Sequence, residues 1–312
     1  MKTITHFRSA FFLFVLLFTA CKQDIAIPEI SQQDLSISNT GFLETRSSVG
    51  SATGVCDFNT DADGIIAWSP YWSDEFDVWD AAKWNVWNGG AYNNELQMYR
   101  PQNIAVSNGN LIITMKKETV VGATNPWNTE LSRFNFTSGR VESKIALTPT
   151  AAYPFRRLKM AARIKLAGGE GLWPAFWAYG QKESTYGEID ILENRGSKPY
   201  VFETAYHYAS QAGVDLASTS NHTITSNVSL TACYHVYEVE WSNNALAMRF
   251  DGQLVKLYEA NTFPYIADLV GNPENLVLNL AVGGNYFPNL NARKIPKTAQ
   301  IFVDWVRVYK EL

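Results

Sequence analysis

Short runs of alternating apolar and polar residues recur along the chain from Asn59 to its end. Turn dipeptides such as Asn108-Gly109 and Asp251-Gly252 stand between them, and no helical period longer than about ten residues interrupts the series. Because parallel strands need helices to cover them, the series predicts antiparallel strands in one all-β domain, a sandwich or a barrel. The clearest runs are NIAVSNGNLIITMKKE, RRLKMAARIKL, ALAMRFDGQLVKLYE, LVLNLAVGG and IFVDWVRVYK.

The first twenty residues have a different pattern. Lys2 and Arg8 precede the apolar run FFLFVLLFTA, which is too short to span a bilayer as a helix, so residues 1–20 are predicted to be a secretory signal peptide. Cys21 follows two small residues, a pattern that resembles the lipobox of bacterial lipoproteins. We expect lipidation of Cys21; the alternative is an ordinary signal peptide followed by a chance cysteine.

Residues 21–58 are polar and irregular and lack either apolar period, which is typical of a flexible tether. Covalent lipid contributes about 0.8 kcal/mol per buried CH₂, so a lipidated Cys21 would hold the chain on a membrane. The sequence therefore predicts a membrane-anchored bacterial lipoprotein, on the periplasmic or the cell-surface side, in which residues 59–312 form the functional domain.

Charge and cysteine content narrow the range of partners. The net charge is −4 and the acidic and basic residues are interspersed, so nothing resembles the basic surface that binds nucleic acid. Cys56 and Cys233 form an even pair in a chain predicted to be exported, and a disulfide or two buried free thiols are both consistent with that. We expect a monomer, since no feature of the sequence indicates an oligomer.

The stretch GEIDILEN, residues 187–194, places three carboxylates among apolar residues. In a regular strand Glu188 and Asp190 share a face, whereas Glu193, five residues from Glu188, would point to the other side. A β-bulge at Ile191-Leu192 would make these two side chains count as one and return Glu193 to the face of the other acids. The pattern therefore predicts a bulged strand with three acids on one face.

Three acids on one face are unfavourable for a strand that only has to fold, because Glu and Asp are poor strand formers and like charges repel. Two carboxyl groups about 5 to 5.5 Å apart are what a retaining glycosidase uses, one as nucleophile and one as proton donor. Asp190, between them, could share a proton with Glu188 and separate the pKa values of the group. An exposed acidic strand or salt-bridge row and a calcium site are the alternatives, although calcium loops use Gly, Asn and carbonyl ligands.

The segment GLWPAFWAYG, residues 171–180, adds aromatic side chains. If it is the neighbouring strand, with Pro174 near its start, Trp173, Ala175 and Trp177 share one face. Sugar rings present flat C–H faces that pack on aromatic planes, so a row of acids beside a row of Trp predicts a groove for a polysaccharide. Each Trp taken singly could also be a core residue.

These motifs resemble those of glycoside hydrolase family 16. GEIDILEN fits the E-x-D-x-x-E signature of that family in its bulged form, and GLWPAFWAYG fits the segment that precedes it in laminarinase-like members. Further blocks occur in family order and extend the resemblance over residues 65–312: YWSDEFD (71–77), NNELQMY (93–99), NGNLIITMKKE (108–118), TSGRVESK (137–144), HVYEVEW (235–241), DGQLV (251–255), LNLAVGGNYF (278–287) and VDWVRVYK (303–310).

The resemblance implies a β-jelly-roll sandwich of two curved antiparallel sheets with a concave substrate cleft, and hydrolysis of a β-linked glycan by double displacement with retention. It implies that Glu188 is the nucleophile, Asp190 its assistant, and Glu193 the general acid that later acts as base. The spacing alone does not decide which Glu attacks. No cofactor is implied for catalysis.

Binding residues are also implied by the resemblance. Trp173 is similar to the aromatic floor beside the scissile bond, and Trp177 is its neighbour, which could instead be packed. Asn94 and His207 match positions at which relatives place polar groups near the sugar or the acid/base. A purely structural histidine is an equal interpretation of His207.

Family members often carry a structural calcium ion, which implies Asp304, with the backbone carbonyl of Gly109, as ligands. An ion pair between Asp304 and Arg307 is the alternative.

The motifs most resemble those of endo-β-1,3-glucanases that act on laminarin-type chains, and we expect that substrate. The same scaffold serves enzymes that cut β-1,3-1,4-glucans or marine galactans (agar, porphyran, carrageenan), and a sulfated galactan would favour basic residues such as Arg195, Lys198 and Arg293. Transglycosylation through the covalent intermediate is a further alternative, as is a module that binds glucan without cleaving it. Because all three acids are present, we expect turnover.

Overall fold

The computed structural model describes residues 68–180, 187–208, 218–219, 221–263 and 265–312. The predicted signal peptide and tether, the predicted lipidation site Cys21, and Cys56 lie outside these ranges. Within them, no helix is both long enough and apolar enough to cross a membrane.

Strands make up most of the described chain, as the alternating pattern predicts. Helical structure there consists of one four-residue α-helix and two 3₁₀ turns, Pro101–Asn103 and Ala292–Lys294. In chain order the elements are β1 Trp68–Asp74, β2 Trp84–Val86, β3 Gln97–Tyr99, β4 Ile104–Ser107, β5 Asn110–Lys116, β6 Val120–Ala123, β7 Leu131–Phe134, β8 Phe136–Ser138, β9 Arg140–Leu147, β10 Arg157–Lys165, β11 Leu172–Gly180, β12 Glu188–Glu193, β13 Val201–Tyr208, β14 Ser218–Thr219, β15 His222–Thr225, β16 His235–Ser242, β17 Ala245–Phe250, β18 Gln253–Glu259, α1 Ile266–Leu269, β19 Glu274–Val282 and β20 Thr298–Glu311.

The strands form two large sheets. One has ten strands, in the order β18-β17-β16-β10-β20-β5-β8-β3, with β1 beside β20 and β4 beside β5. The other has eight, in the order β14-β13-β12-β11-β19-β9-β2, with β15 beside β13. The pairing is antiparallel apart from the short parallel pair β3–β8, and β6 and β7 form a separate hairpin. The predicted sandwich of two antiparallel sheets is confirmed.

One core lies between the sheets, and alternation along each strand decides which side chains enter it. From the ten-stranded sheet, Met160 and Val239 are opposite each other and buried. From the eight-stranded sheet, Leu276 and Leu278 are buried in the same core. Side chains at alternate positions along the strands point away from this core. One face of the eight-stranded sheet is therefore left for polar and aromatic side chains.

Cys233 is buried and disulfide-bonded. The free-thiol alternative is therefore wrong for this residue. Cys56, the partner expected from the sequence, lies outside the described ranges.

Candidate active site

The strand that carries the three acids pairs irregularly with its neighbour β13. Asp190 is opposite Ala205, and Glu193 is opposite Glu203, so three steps along β12 match two steps along β13. One residue of β12 is therefore extra between Asp190 and Glu193, which is the definition of a bulge.

The pairing with β11, on the other side, locates the same extra residue. Leu192 is opposite Phe176 and Asp190 is opposite Trp177, so Ile191 has no partner on β11. The bulge predicted at Ile191-Leu192 is confirmed from both sides of the strand.

The bulge separates the strand into an apolar and an acidic face. Ile191 and Leu192 are both buried, with exposed fractions of 2% and 0%, and both belong to the core between the sheets. Because two consecutive side chains enter the core, Glu193 returns to the side that carries Glu188 and Asp190. We call this side of the eight-stranded sheet the acid face.

Glu188, Asp190 and His207 form a compact polar group on the acid face. Their potential ligand atoms all lie within 4.8 Å of one another, so the three side chains could together hold a metal ion. His207 is opposite Glu188 on β13, and its Nε2 lies 2.9 Å from Asp190 Oδ2 and 3.9 Å from Glu188 Oε1. The structure thus places His207 beside Glu188 and Asp190, and its predicted role in substrate binding stays a prediction.

Asp190 is the most buried of the three acids, and burial raises its pKa to about 8. Its Oδ2 has no well-aligned hydrogen bond within the described residues, so the 2.9 Å approach of His207 Nε2 is a close polar contact with poor hydrogen-bond geometry. With a pKa near 8, Asp190 keeps a proton at neutral pH and can donate it to a neighbouring carboxylate.

Glu193 has the surroundings of a proton donor. Burial raises its pKa well above the usual range, and the charges of Asp190 and Glu188 raise it further. The charge of His207 and a hydrogen bond from Trp173 oppose this rise; Trp173 Nε1 donates to Glu193 Oε1 at 2.9 Å. A carboxyl group with a raised pKa that is held at one oxygen can deliver its proton from the other.

The other side of Trp173 is fixed by a group that the sequence analysis did not identify. Tyr286 stacks on Trp173 with ring centres 4.5 Å apart, and its hydroxyl donates to Glu203 at 3.1 Å. Arg195 lies 3.7 Å above the Tyr286 ring and is paired with Glu203 at 2.5 Å. The Arg195 guanidinium is therefore engaged inside the protein.

Trp177, predicted as a neighbour of the floor residue Trp173, is held in the acid face by side-chain contacts. Its Nε1 donates to Asn279 Oδ1 at 2.7 Å, and Asn279 Nδ2 donates to the Tyr99 hydroxyl at 3.1 Å. Arg140 lies 4.8 Å from the Trp177 ring and is paired with Glu142 at 2.6 Å. Trp177 is thus both on the acid face and packed, and its partners Arg140 and Asn279 were not predicted as site residues.

Asn94 lies in an exposed loop and not among the acids. Its backbone has φ of 56°, a left-handed conformation that Asn tolerates. Its Nδ2 donates to Asn285 Oδ1 at 2.8 Å, which ties this loop to the one that carries Tyr286. The predicted role of Asn94 in sugar binding stays a prediction.

Glu274 is a buried carboxyl group that no motif indicated. It lies on β19 with an exposed fraction of 1%, and its Oε2 has no hydrogen-bond partner among the residues described. Burial raises its pKa well above the usual range, and the charges of Glu188 and Asp190 raise it further. A Cβ at position 187 would lie 2.9 Å from Glu274 Oε1, so Gly187 leaves room for this carboxyl group.

The predicted calcium ligands do not form a ready cation site. Asp304 Oδ2 is paired with Arg163 at 2.6 Å, and Arg307 is paired with Glu75 instead, so the proposed Asp304–Arg307 pair is wrong. Gly109 lies in the turn between β4 and β5. The guanidinium of Arg163 already occupies Asp304 Oδ2, which leaves one oxygen of that carboxylate for a cation, so the pairing weakens the predicted donor set and we derive no role for the ion.

Comparisons with known proteins show which proteins this chain is similar to. A family model described as "Glycosyl hydrolases family 16" matches residues 91–305. The "Glucan endo-1,3-beta-glucosidase A1" of Niallia circulans is 31% identical over 271 residues, which cover 77% of this chain and 37% of that protein. This chain therefore spans little more than a third of the length of that relative. The "Beta-glucanase" of Rhodothermus marinus is 30% identical over 266 residues, which cover 78% of this chain and 85% of that protein.

A solved structure gives the same result for the fold. The endo-beta-1,3-glucanase from Pyrococcus furiosus superposes with a TM-score of 0.66 at 28% sequence identity. The superposition covers 78% of this chain and 95% of that one.

Proposed function

The chain belongs to glycosyl hydrolases family 16, and we propose that it is an endo-β-1,3-glucanase that cleaves laminarin-type chains with retention of the anomeric configuration. The observation that carries the proposal is the bulge at Ile191, because it brings Glu193 to the face of Glu188 and Asp190. Relatives named as endo-1,3-β-glucanases support the substrate.

Glu188 and Glu193 have different roles in the proposed reaction. Glu188 attacks the anomeric carbon while Glu193 protonates the departing glycosidic oxygen, and a covalent glycosyl-enzyme forms. Glu193, now ionised, then takes a proton from the water molecule that releases the sugar from Glu188. The raised pKa of Glu193 supports its role as the initial acid, since the carboxyl group starts protonated.

Asp190 and His207 assist Glu188. Their reactive atoms lie within 4.8 Å of it, and a pKa near 8 keeps a proton on Asp190 at neutral pH. That proton can be donated to one oxygen of Glu188, which fixes the carboxylate and leaves its other oxygen for attack.

Arg195 bears on the choice between a neutral and a sulfated glycan. A sulfate group would need a free guanidinium or ammonium group in the cleft. Arg195 is instead paired with Glu203 and stacked on Tyr286, so this residue gives no support to a sulfated glycan.

A substrate panel tests the proposed function. Reducing ends are measured after incubation with laminarin, barley β-glucan or agarose, for the wild type and for Glu188→Gln. We expect the wild type to act fastest on laminarin and the variant to lose at least about a thousandfold of that rate. Faster cleavage of barley glucan or agarose would contradict the substrate, and no cleavage of any glycan would favour a binding module.

We further propose that the protein is a monomer that is anchored to a membrane through lipid on Cys21. The support is the apolar run before Cys21 and the two small residues next to it. A Cys21→Ser variant should move from the membrane fraction to the aqueous fraction of the cells that express it. Retention of this variant on membranes would contradict the lipid anchor, and a dimer mass in light scattering would contradict the monomer.

A further inference from the structure

We propose that the substrate cleft extends to an exposed aromatic platform, Trp127 and Tyr92 supported by Trp87, which binds a sugar ring of the same glucan chain several units from the cleaved bond. The proposal deepens the proposed function and rests on it, because it assigns a distant binding position for the polysaccharide.

The platform is continuous with the acid face. Trp177 is opposite Asp190, and Arg140 lies 4.8 Å from the Trp177 ring and 4.2 Å from the Trp87 ring. Trp87 contacts Trp127 edge to face, with ring centres 4.8 Å apart. A continuous row of neighbouring side chains therefore joins the acids to Trp127.

The row crosses the sheet away from the acids. It runs from β12 through β11, β19 and β9 to β2, which Trp87 follows directly. Four strand spacings of about 4.8 Å make a distance of roughly 19 Å between β12 and β2. That distance suits a chain of several sugar rings, whereas a disaccharide held at the acids would not reach it.

Trp127 and Tyr92 are exposed to solvent, unlike the aromatic side chains of the core. Their exposed fractions are 69% and 56%, whereas that of Trp87 is 5%. Tyr92 contacts Trp87 edge to face at 6.4 Å, so the two exposed rings flank one buried ring. Large exposed aromatic side chains that adjoin a cleft are typical of a binding surface.

The loop that carries Trp127 is held in place before any ligand binds. The backbone N–H of Trp127 donates to Asn125 Oδ1 at 2.9 Å, and Asn128 Nδ2 donates to Thr124 Oγ1 at 2.8 Å. Because the loop is already ordered, less conformational entropy is lost when a sugar ring binds.

Two glycines let this loop approach the one before Tyr92. A Cβ at position 89 would lie 2.8 Å from the carbonyl carbon of Asn125, and one at position 90 would clash with the carbonyl oxygen of Thr124. The N–H of Gly90 donates to the carbonyl of Ala123 at 2.8 Å, which fixes the two loops together.

The chemistry of the platform suits a neutral sugar. Its exposed surface is aromatic, and the nearby charge, Arg140, is buried and paired with Glu142. Flat C–H faces of a glucosyl ring can therefore pack on Trp127, whereas an anionic group would gain no ion pair from Arg140.

Chain-length dependence tests the proposal. We would measure kcat/KM on laminarin and on laminaritriose for the wild type, Trp127→Ala and Trp127→Phe. Only the polymer is long enough to reach the platform while it is cleaved. We expect Trp127→Ala to lower the ratio of laminarin to laminaritriose kcat/KM by about tenfold, because burial of a large ring face is lost. Trp127→Phe keeps an aromatic face and should lower the ratio less.

Tyr71→Ala is the matched control. Tyr71 is 45% exposed, lies on β1 of the ten-stranded sheet and contacts Phe155, and its loss should leave the ratio at the wild-type value. An unchanged ratio in Trp127→Ala, or equal losses on both substrates, would overturn the platform. If the wild type cleaves neither laminarin nor laminaritriose, the proposed function fails, and the platform proposal fails with it.

Discussion

Ile191 and Leu192 are adjacent in β12, yet both side chains are buried in the core, with exposed fractions of 2% and 0%. In an unbulged strand one of the two would lie on the acid face, where its truncation would cost little. With the bulge, each truncation removes buried methyl groups and leaves a cavity between the sheets. We therefore expect Ile191→Ala and Leu192→Ala each to lower the free energy of unfolding by about 2 to 5 kcal/mol.

The assay is equilibrium unfolding in urea at neutral pH, followed by circular dichroism and tryptophan fluorescence. Unchanged m values would show that the midpoint shift reports stability alone. Thr223→Ala is the control, because Thr223 is exposed on β15 and its truncation should change stability by less than about 0.5 kcal/mol. The two core variants touch the same cavity, so their effects should not add in the double variant.

The reasoning is refuted if either single variant behaves like the control. A small effect at one of the two positions would mean that their side chains point to opposite faces. Glu193 would then lie on the side away from Glu188, and the two carboxyl groups could not act on one sugar.

Three further predictions follow from single groups. Trp173→Phe removes the hydrogen bond that lowers the pKa of Glu193, so the alkaline limb of the pH profile of kcat/KM should move to higher pH. Trp177→Phe, the control, should leave that limb in place, and equal movement in both variants would contradict the role of the Trp173 hydrogen bond. Burial raises the pKa of Glu274 in the folded state, so the stability it contributes is present below about pH 4.5 and is lost as the pH rises towards the folded-state pKa. Over a pH series that rises from 4.5, Glu274→Gln should therefore lose less unfolding free energy than the wild type, and the same loss in both would contradict the raised pKa. EDTA should leave the melting temperature and laminarin hydrolysis unchanged, because Asp304 is already ion-paired, and a fall in either would indicate a structural cation.

Periodicity in the sequence was enough for the strands and the bulge, whereas it left a sandwich and a barrel open, and the two-sheet sandwich was implied by the resemblance to glycoside hydrolase family 16. The six residues from Glu188 to Glu193 do not fit the alternation of a regular strand, because two apolar residues, Ile191 and Leu192, stand where alternation requires one. A local pattern of this kind reports the face of a side chain directly, which is why the bulge could be placed to the residue.

Contacts between residues far apart in sequence could not be read in the same way. Tyr286 follows β19, whereas Glu203 lies on β13, and only the fold brings them together beside Trp173. The platform at Trp127 depends on two loops that meet across Gly89 and Gly90, and neither loop has a periodic pattern. The pairing of Asp304 with Arg163 likewise needed the register of β10 and β20.

The central claim is that Glu188 and Glu193 act on one sugar from the same face of a bulged strand. The anomer released first from laminarin, followed by proton NMR before mutarotation, tests it most directly. The account predicts the β anomer, since attack by one carboxylate followed by attack by water inverts the configuration twice. An initial α anomer would contradict the double displacement and the roles given to the two Glu side chains.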